Sequence, residues 1–202
     1  MTSNPKPVVI KFFCNVNEFS VPQLLEIIDK KLQAGVSEFT ILISSQGGSV
    51  FHGISAYNYL KGIPAKVKTH NFGSVNSSAS VIFCAGDERF SVPDGTFLVH
   101  PVRSGFRGGE NLAIDDLEER IKGVKLDAEN IAGVISSATG KTEDEILEMM
   151  RKRTNLNPEE AKEFGFVHEI KEALFDSGSE IINIDDKPPK TQGLPFQIQR
   201  QN

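Results

Sequence analysis

The stretch FTILISSQGGSV, residues 39–50, decides the fold because it joins a strand pattern to a helix pattern through two glycines. The run Phe39–Ser44 is short and largely apolar, which is typical of a strand covered on both faces. Beyond the glycines, apolar residues recur at helical spacing as far as Leu60, which predicts a helix over residues 49–61. A strand that passes through a short turn into a helix is the repeating step of an α/β sheet.

The pair Gly47-Gly48, at the centre of this stretch, predicts a turn whose backbone N–H groups point outward. Glycine permits this because it has no Cβ to block an approaching ligand. Such a turn can hold an oxyanion or a phosphate, and the alternative is a plain tight turn. The surrounding sequence has neither the G-x-G-x-x-G pattern of dinucleotide-binding turns nor the G-K-[ST] ending of a P-loop.

Strand and helix patterns alternate on both sides of this stretch. Further strands are predicted over residues 8–13, 65–72, 89–92, 96–99 and 166–170, and further helices from Ser20, Ser77, Thr142 and Asn157. In the run 65–72, Lys66, Lys68 and His70 alternate with less polar residues, which predicts a strand with one polar face. The alternation indicates βαβ units on a mostly parallel sheet.

The length of 202 residues favours one domain with additions. We predict an α/β domain over residues 1–176. Within it, residues 108–138 are rich in charge and sparsely apolar, which predicts a long helix that projects from the domain. The composition changes at residue 177, and residues 177–202 are predicted to form a flexible C-terminal tail.

Charge and cysteine content exclude several classes of protein. The net charge is −5, so there is no basic excess to neutralise nucleic acid or an anionic membrane. No run approaches the length of a transmembrane helix. Cys14 and Cys84 lie among apolar residues without C-x-x-C spacing, which favours reduced thiols and a cytoplasmic location. Histidine and cysteine spacing predicts no metal site, and nothing indicates a cofactor.

A serine cluster at the start of a helix is the candidate source of a nucleophile. Small polar residues at this position can be helix caps or close-packing residues. A nucleophile belongs in the first turn, where the hydroxyl is exposed and the helix dipole favours developing negative charge. This selects Ser77, because Ser80 lies one turn further inside. The backbone N–H of Ser78 would then help to hold an oxyanion, as at a nucleophile elbow.

His100 is the candidate general base, because it directly follows the apolar strand pattern Thr96–Val99. The alternative is a structural histidine, and this is the interpretation we give to His52, His70 and His168. Together, an oxyanion turn, a hydroxyl and an imidazole are the groups that acyl transfer needs.

The chain resembles the Clp protease proteolytic subunit family (ClpP), within the wider crotonase-like fold. Residues 43–50 resemble the family's N-S-P-G-G-x-V turn, residues 73–86 its A-S-M-x-x-x-L-L-x-A-G helix, and residues 97–101 its M-I-H-Q-P segment. Residues 139–142 and 158–167 resemble the T-G-x-S and A-x-E-A-x-x-Y-G-L-V segments. The resemblance spans residues 8–170.

The resemblance implies a fold of repeated ββα units with a protruding handle helix at about 108–138. It also implies a serine endopeptidase that cleaves peptides inside an oligomeric chamber, with Ser77 as nucleophile, His100 as base, and Gly48 and Ser78 forming the oxyanion hole. The partners it implies are further copies of this chain, arranged in a ring or stacked rings, and an AAA+ unfoldase.

The sequence departs from the family pattern in three ways. Met149 stands where the family has its catalytic Asp, so the third member of a triad is sought among Glu148, Asn155 and Asn157. Gln46 replaces the proline of the oxyanion turn. The sequence begins close to the first predicted strand, without the segment that forms axial loops in the family, so coupling to an unfoldase is left open.

Two alternatives follow from these departures. The first is a catalytically weak or inactive Clp-like subunit, which Met149 supports. The second is a crotonase that acts on acyl-CoA, because that reaction uses the same scaffold with two backbone donors for an enolate.

Overall fold

A computed structural model describes residues 7–105, 108 and 111–187. The strands are β1 (Val8–Phe12), β2 (Glu38–Ser45), β3 (Lys66–Asn76), β4 (Glu88–Ser91), β5 (Thr96–Val99), β6 (Thr154–Leu156), β7 (Glu169–Ile170) and β8 (Glu180–Asn183). The helices are α1 (Ser20–Gln33), α2 (Val50–Gly62), α3 (Ser78–Phe83), α4 (Ile114–Thr139), α5 (Glu143–Lys152) and α6 (Pro158–Phe164).

The strands form one sheet, with the order β6-β5-β3-β2-β1-β8 and with β4 between β3 and β7 at a branch. All the described pairings are parallel except that of β5 with β6. The first four helices each follow a strand, as parallel pairing requires. The prediction of an α/β fold with a mostly parallel sheet is therefore confirmed.

The longest strand, β3, splits the sheet into its two branches. Residues 68–71 pair with β4, whereas residues 74–76 pair with β5. The β2–β3 register shifts between Ile43 and Ser45, where β3 has two extra residues, and this brings Ser45 opposite Val75. The sequence pattern predicted that this strand ends at Phe72, four residues before its observed end. The residues that follow are polar, and it is their pairing with β5 that makes them part of the strand.

Buried aromatic rings and one buried cation hold the helix ends to the sheet. The rings of Phe83, Phe97 and Phe166 form a chain with centroids 5.2 and 5.9 Å apart. Beside them, the guanidinium of Arg89 is only 6% exposed. It donates to the carbonyl oxygens of Phe166, Gly86, Ala138 and Gly165 at 2.7–3.2 Å. These carbonyls lie at or just beyond the C-terminal ends of α3, α4 and α6, where the helix dipole favours a cation.

Helix α4 corresponds to the predicted handle, and its two halves differ in burial. Ile131, Ala132 and Ile135 in its second half are buried, whereas most of the first half is exposed. The exposed part includes four large apolar side chains, those of Ile114, Leu117, Ile121 and Leu126. The helix begins later than position 108, and residues 109 and 110 lie outside the described residues.

The tail prediction is wrong for residues 180–183, which form β8. This strand pairs in parallel with Val8–Lys11 of β1, and Ile184 is buried directly after it. Asp186 then accepts hydrogen bonds from Asn15 through the backbone and side-chain nitrogens, both at 3.1 Å. A polar composition predicted flexibility here, but the open edge of β1 gives these residues hydrogen-bond partners. The remainder of the predicted tail, residues 188–202, lies outside the described residues.

Candidate active site

Ser77 occupies a strained turn between β3 and α3. Its φ is 54° and its ψ is −130°, a conformation that non-glycine residues rarely adopt. The backbone N–H of Ser77 donates to Leu98 O of β5 at 2.8 Å, which fixes the turn. The hydroxyl of Ser77 makes no capping hydrogen bond to α3. Strand, strained serine and helix follow one another as they do at a nucleophile elbow.

The glycine turn between β2 and α2 lies against Ser77. A Cβ built on Gly47 would lie 2.7 Å from the Cβ of Ser77, so the two turns are in direct contact. A Cβ on Gly48 would lie 2.2 Å from Val16 O. With φ angles of 86° and 149°, both positions require glycine.

A short bridge to the loop after β1 holds this turn. Val16 N–H donates to Gly47 O at 2.9 Å, and Ser49 N–H donates to Val16 O at 2.8 Å. The N–H of Gly48 takes no part in these two bonds. As the first residue of α3, Ser78 also has an N–H that no carbonyl within the helix can accept. Two backbone donors therefore flank Ser77, the arrangement that can stabilise an oxyanion.

Gln46 ties the glycine turn to β3 through its side-chain amide. Asn76 Nδ2 donates to Gln46 Oε1 at 2.9 Å, and Gln46 Nε2 approaches Ser74 Oγ at 3.4 Å. Asn76 immediately precedes Ser77. The residue that replaces the family's proline thus links the turn to the strand that carries the candidate nucleophile.

His100 follows β5 and lines the same small cavity as Ser77 and Gly48, which has a volume of about 120 Å³. Its Nδ1 lies 2.8 Å from Pro101 O. A carbonyl oxygen can only accept, so Nδ1 carries a proton, and in the neutral imidazole the lone pair is on Nε2. The imidazole is thereby held in the tautomer that a general base needs. Among the described residues, no hydrogen bond yet joins the side chains of His100 and Ser77, as is common in unliganded sites.

The candidates for a third member of a triad do not line this cavity. Glu148 is exposed and forms ion pairs with Arg151 and Lys152. The side chain of Asn157 caps α6 by accepting from Glu160 N at 2.8 Å. Asn155 is exposed in β6, where it pairs with Leu98. Met149 is partly buried against the apolar core.

Beyond the Ser–His pair, the described residues that line the cavity are mostly apolar and include one arginine. Val50, Val99, Val102 and Ile131 supply the apolar surface, and exposed Arg103 is the charged residue. Sequence patterns did not single out Arg103, since nothing in its local spacing indicates that it comes near Ser77.

A second, larger cavity of about 370 Å³ lies on the other branch of the sheet. Its floor includes His70, which is fully buried and has no hydrogen-bond partner on either ring nitrogen within the described residues. Burial, followed by the positive charge of Lys171, lowers the pKa of His70 to about 4. The predicted polar face of β3 is thus covered at His70 by residues 171–177.

The remaining titratable groups have structural surroundings. His52 Nδ1 lies 2.9 Å from Ser49 Oγ, and His168 Nδ1 accepts from Arg89 N at 3.2 Å. Cys14 and Cys84 are free thiols, and burial raises the pKa of each to about 12. Within residues 7–105, 108 and 111–187, no group of three or more His, Cys, Asp or Glu side chains could hold a metal ion. No helix of the same residues is long and apolar enough to cross a membrane.

Comparisons with known proteins relate this chain to one family. The family model described as Clp protease matches residues 16–173. An ATP-dependent Clp protease proteolytic subunit from Bdellovibrio bacteriovorus is 29% identical over 136 residues, which cover 66% of this chain and 63% of that protein. The corresponding subunit from Deinococcus radiodurans is 28% identical over 135 residues, covering 66% and 64%. The match thus spans just under two thirds of the length of these two relatives.

Two further matches are more extensive. The ATP-dependent Clp protease proteolytic subunit 2 from Borreliella burgdorferi is 31% identical over 154 residues, covering 75% of this chain and 73% of that protein. Among solved structures, a ClpP1 mutant from Listeria monocytogenes superposes with a TM-score of 0.74 and 25% identity, covering 82% of this chain and 91% of that chain. The predicted ClpP-type α/β fold is confirmed by this likeness.

Proposed function

Because the chain belongs to the Clp protease family, we propose that it is a serine peptidase that uses Ser77 as its nucleophile. The observation that carries the proposal is a single cavity lined by Ser77, His100 and Gly48. The cavity thus brings together the hydroxyl of Ser77, which is on a strained backbone, the imidazole of His100 and the backbone of Gly48.

The chemistry then proceeds as acyl transfer. His100 Nε2 takes the proton from Ser77 Oγ as this oxygen attacks the carbonyl carbon of a peptide bond. The carbonyl oxygen becomes an oxyanion, which the N–H groups of Gly48 and Ser78 stabilise. The protonated His100 returns its proton to the leaving amine. Water then hydrolyses the ester on Ser77 by the same steps, which releases the acid and restores the serine.

The carbonyl oxygen of Pro101 takes over one task of the missing acid. A triad carboxylate both holds the histidine tautomer and stabilises the imidazolium. The contact of 2.8 Å between His100 Nδ1 and Pro101 O supports the first task. A neutral carbonyl supplies less stabilisation of the cation than a carboxylate does, so we expect slow turnover.

Self-association is the assembly that we propose for this chain. Its support is the apolar stripe along one side of α4 formed by Ile114, Leu117 and Ile121, of which Ile121 is 55% exposed. Ile121→Glu should reduce the sedimenting mass, whereas Glu119→Lys, on the opposite side of the helix, should not. An unchanged mass in Ile121→Glu would contradict the use of α4 as the contact.

A catalytically inactive Clp-like subunit is the second candidate function. The Met149 side chain is partly buried, and neither Glu148 nor Asn157 is among the described residues that line the cavity. Both observations favour this candidate. Such a chain would bind peptides or support assembly without cleaving them.

A fluorophosphonate probe separates the two candidates, because it reacts only with an activated serine. We expect the wild-type chain to be labelled at Ser77, Ser77→Ala to lose the label and His100→Ala to lose most of it. Ser137→Ala is the control, since Ser137 is exposed on α4, does not line the cavity and should leave labelling intact. An unlabelled wild-type chain, with every variant folded, would refute the peptidase and favour the inactive subunit.

A further inference from the structure

The cavity beside Ser77 and His100 combines an apolar wall with one positive charge. The wall is formed by Val50, Val99, Val102 and Ile131. Arg103 is the only charged residue among the described residues that line it, and no carboxylate faces the guanidinium there. The volume of about 120 Å³ is far below that of a pocket for a whole small-molecule ligand, so it fits one side chain.

The Arg103 side chain is exposed. In the described part of the chain it makes no ion pair and no hydrogen bond, in contrast to Arg89 and Arg151. It lies three residues after His100, in a segment outside the regular elements. A guanidinium without a counter-charge offers all of its donors to an incoming carboxylate, which it can bind in a bidentate manner.

We propose that Arg103 is a specificity-determining residue that selects peptides with an acidic side chain, glutamate above all, next to the bond attacked by Ser77. The two methylene groups of glutamate would pack on the valine wall, and its carboxylate would meet the guanidinium at the rim. A lysine or arginine at the same position of the peptide would bring two like charges together. The inference rests on the proposed function, because that function places a peptide in this cavity.

Exposure limits the size of the preference. Ion pairs between solvent-exposed groups are weak, so we expect a glutamate peptide to bind about two- to fivefold more tightly than its glutamine counterpart, or about 0.4–1 kcal/mol. The preference should shrink as salt is raised from about 50 mM to 500 mM, because counter-ions screen exposed charges.

Peptide binding to the full-length Ser77→Ala variant tests this without requiring turnover. The probes are fluorescein-labelled hexapeptides that carry one glutamate, glutamine or lysine, moved through the six positions, and the readout is fluorescence anisotropy. At one position we expect glutamate to bind best, Arg103→Gln to abolish the preference and Arg103→Glu to favour lysine. Arg151→Gln, which removes a distant positive charge, is the matched control and should keep the preference.

The outcomes separate this inference from the proposed function. The preference is the ratio of the affinities for the glutamate and the glutamine peptide. If this ratio is the same with Arg103 and with Arg103→Gln, the proposed role of Arg103 is overturned. If no peptide binds, the proposed role is overturned too. Fluorophosphonate labelling of wild-type Ser77 reports on the peptidase independently. If Ser77 is labelled but no acidic preference is found, only the specificity proposal is refuted. If the chain is not labelled but still selects glutamate through Arg103, only the peptidase proposal is refuted.

Discussion

Replacing Gly48 by alanine perturbs the proposed oxyanion hole at one backbone donor. The new Cβ would lie 2.2 Å from Val16 O, a contact that real Cβ atoms essentially never make below 3.0 Å. Val16 is held by hydrogen bonds to Gly47 and Ser49 on either side of Gly48, so the turn rather than the carbonyl has to yield. Position 48 must therefore move by about 0.8 Å to bring the contact from 2.2 to 3.0 Å.

The expected kinetic loss follows from this displacement. A donor works in an oxyanion hole when it lies about 2.7–3.1 Å from the developing charge. A shift of about 0.8 Å takes the N–H of Gly48 out of that range. Loss of one such donor costs about 100- to 1,000-fold in kcat, or about 2.7–4 kcal/mol.

The assay is steady-state hydrolysis of a fluorogenic peptide, measured on protein that sediments and melts as a folded species. Gly35→Ala is the matched control: Gly35 also has a positive φ, 86°, but a Cβ there would meet nothing within 4 Å. We expect the control to lose stability while its kcat stays unchanged. A folded Gly48→Ala with a kcat within about threefold of wild type would refute Gly48 as an oxyanion donor.

Three more changes test other parts of the structure. Gln46→Ala should lower kcat about 2- to 10-fold at nearly constant KM, because it removes the side-chain hydrogen bonds that link the glycine turn to β3. An unchanged kcat would contradict a role of these bonds in catalysis. Met149→Asp should raise kcat about tenfold or more if its carboxylate reaches His100, and an unchanged rate would mean that the Pro101 carbonyl suffices. The free energy of unfolding should fall from pH 6.5 to about 4, by up to about 1.4 kcal/mol per pH unit, because the unfolded chain protonates His70 and the folded one does not. His70→Phe should flatten that part of the curve in denaturant titrations, and an equal slope in both proteins would contradict it.

Much of the scaffold was predictable because its signals are local. Apolar runs such as Phe39–Ser44 predicted strands, and the glycine pair at 47–48 predicted the turn. The capping pattern at Asn157 predicted the start of α6, and the structure has it there with the capping box complete. Each of these signals acts within a few residues, where side-chain spacing decides the outcome.

The elements that were missed depend on distant partners. Strands β6 and β8 are short and partly polar, and they exist because β5 and β1 offer unpaired edges. His70 was assigned to a polar face, yet a segment a hundred residues later covers it. In the same way, neither the contact of Arg103 with the cavity nor the bonds that occupy Glu148 and Asn157 could be predicted from spacing along the chain.

The pairing of β8 with β1 has a practical consequence for anyone who shortens this protein. A chain cut after residue 176 would lack Glu180–Asn183 and would leave the backbone of β1 without neighbours along one side. Three of the first four residues of that strand are almost wholly buried and apolar, and an open row of amides beside such residues is a template for pairing with another molecule. The trimmed protein would then aggregate through the exposed edge of β1, although the residues of the candidate site would all be present.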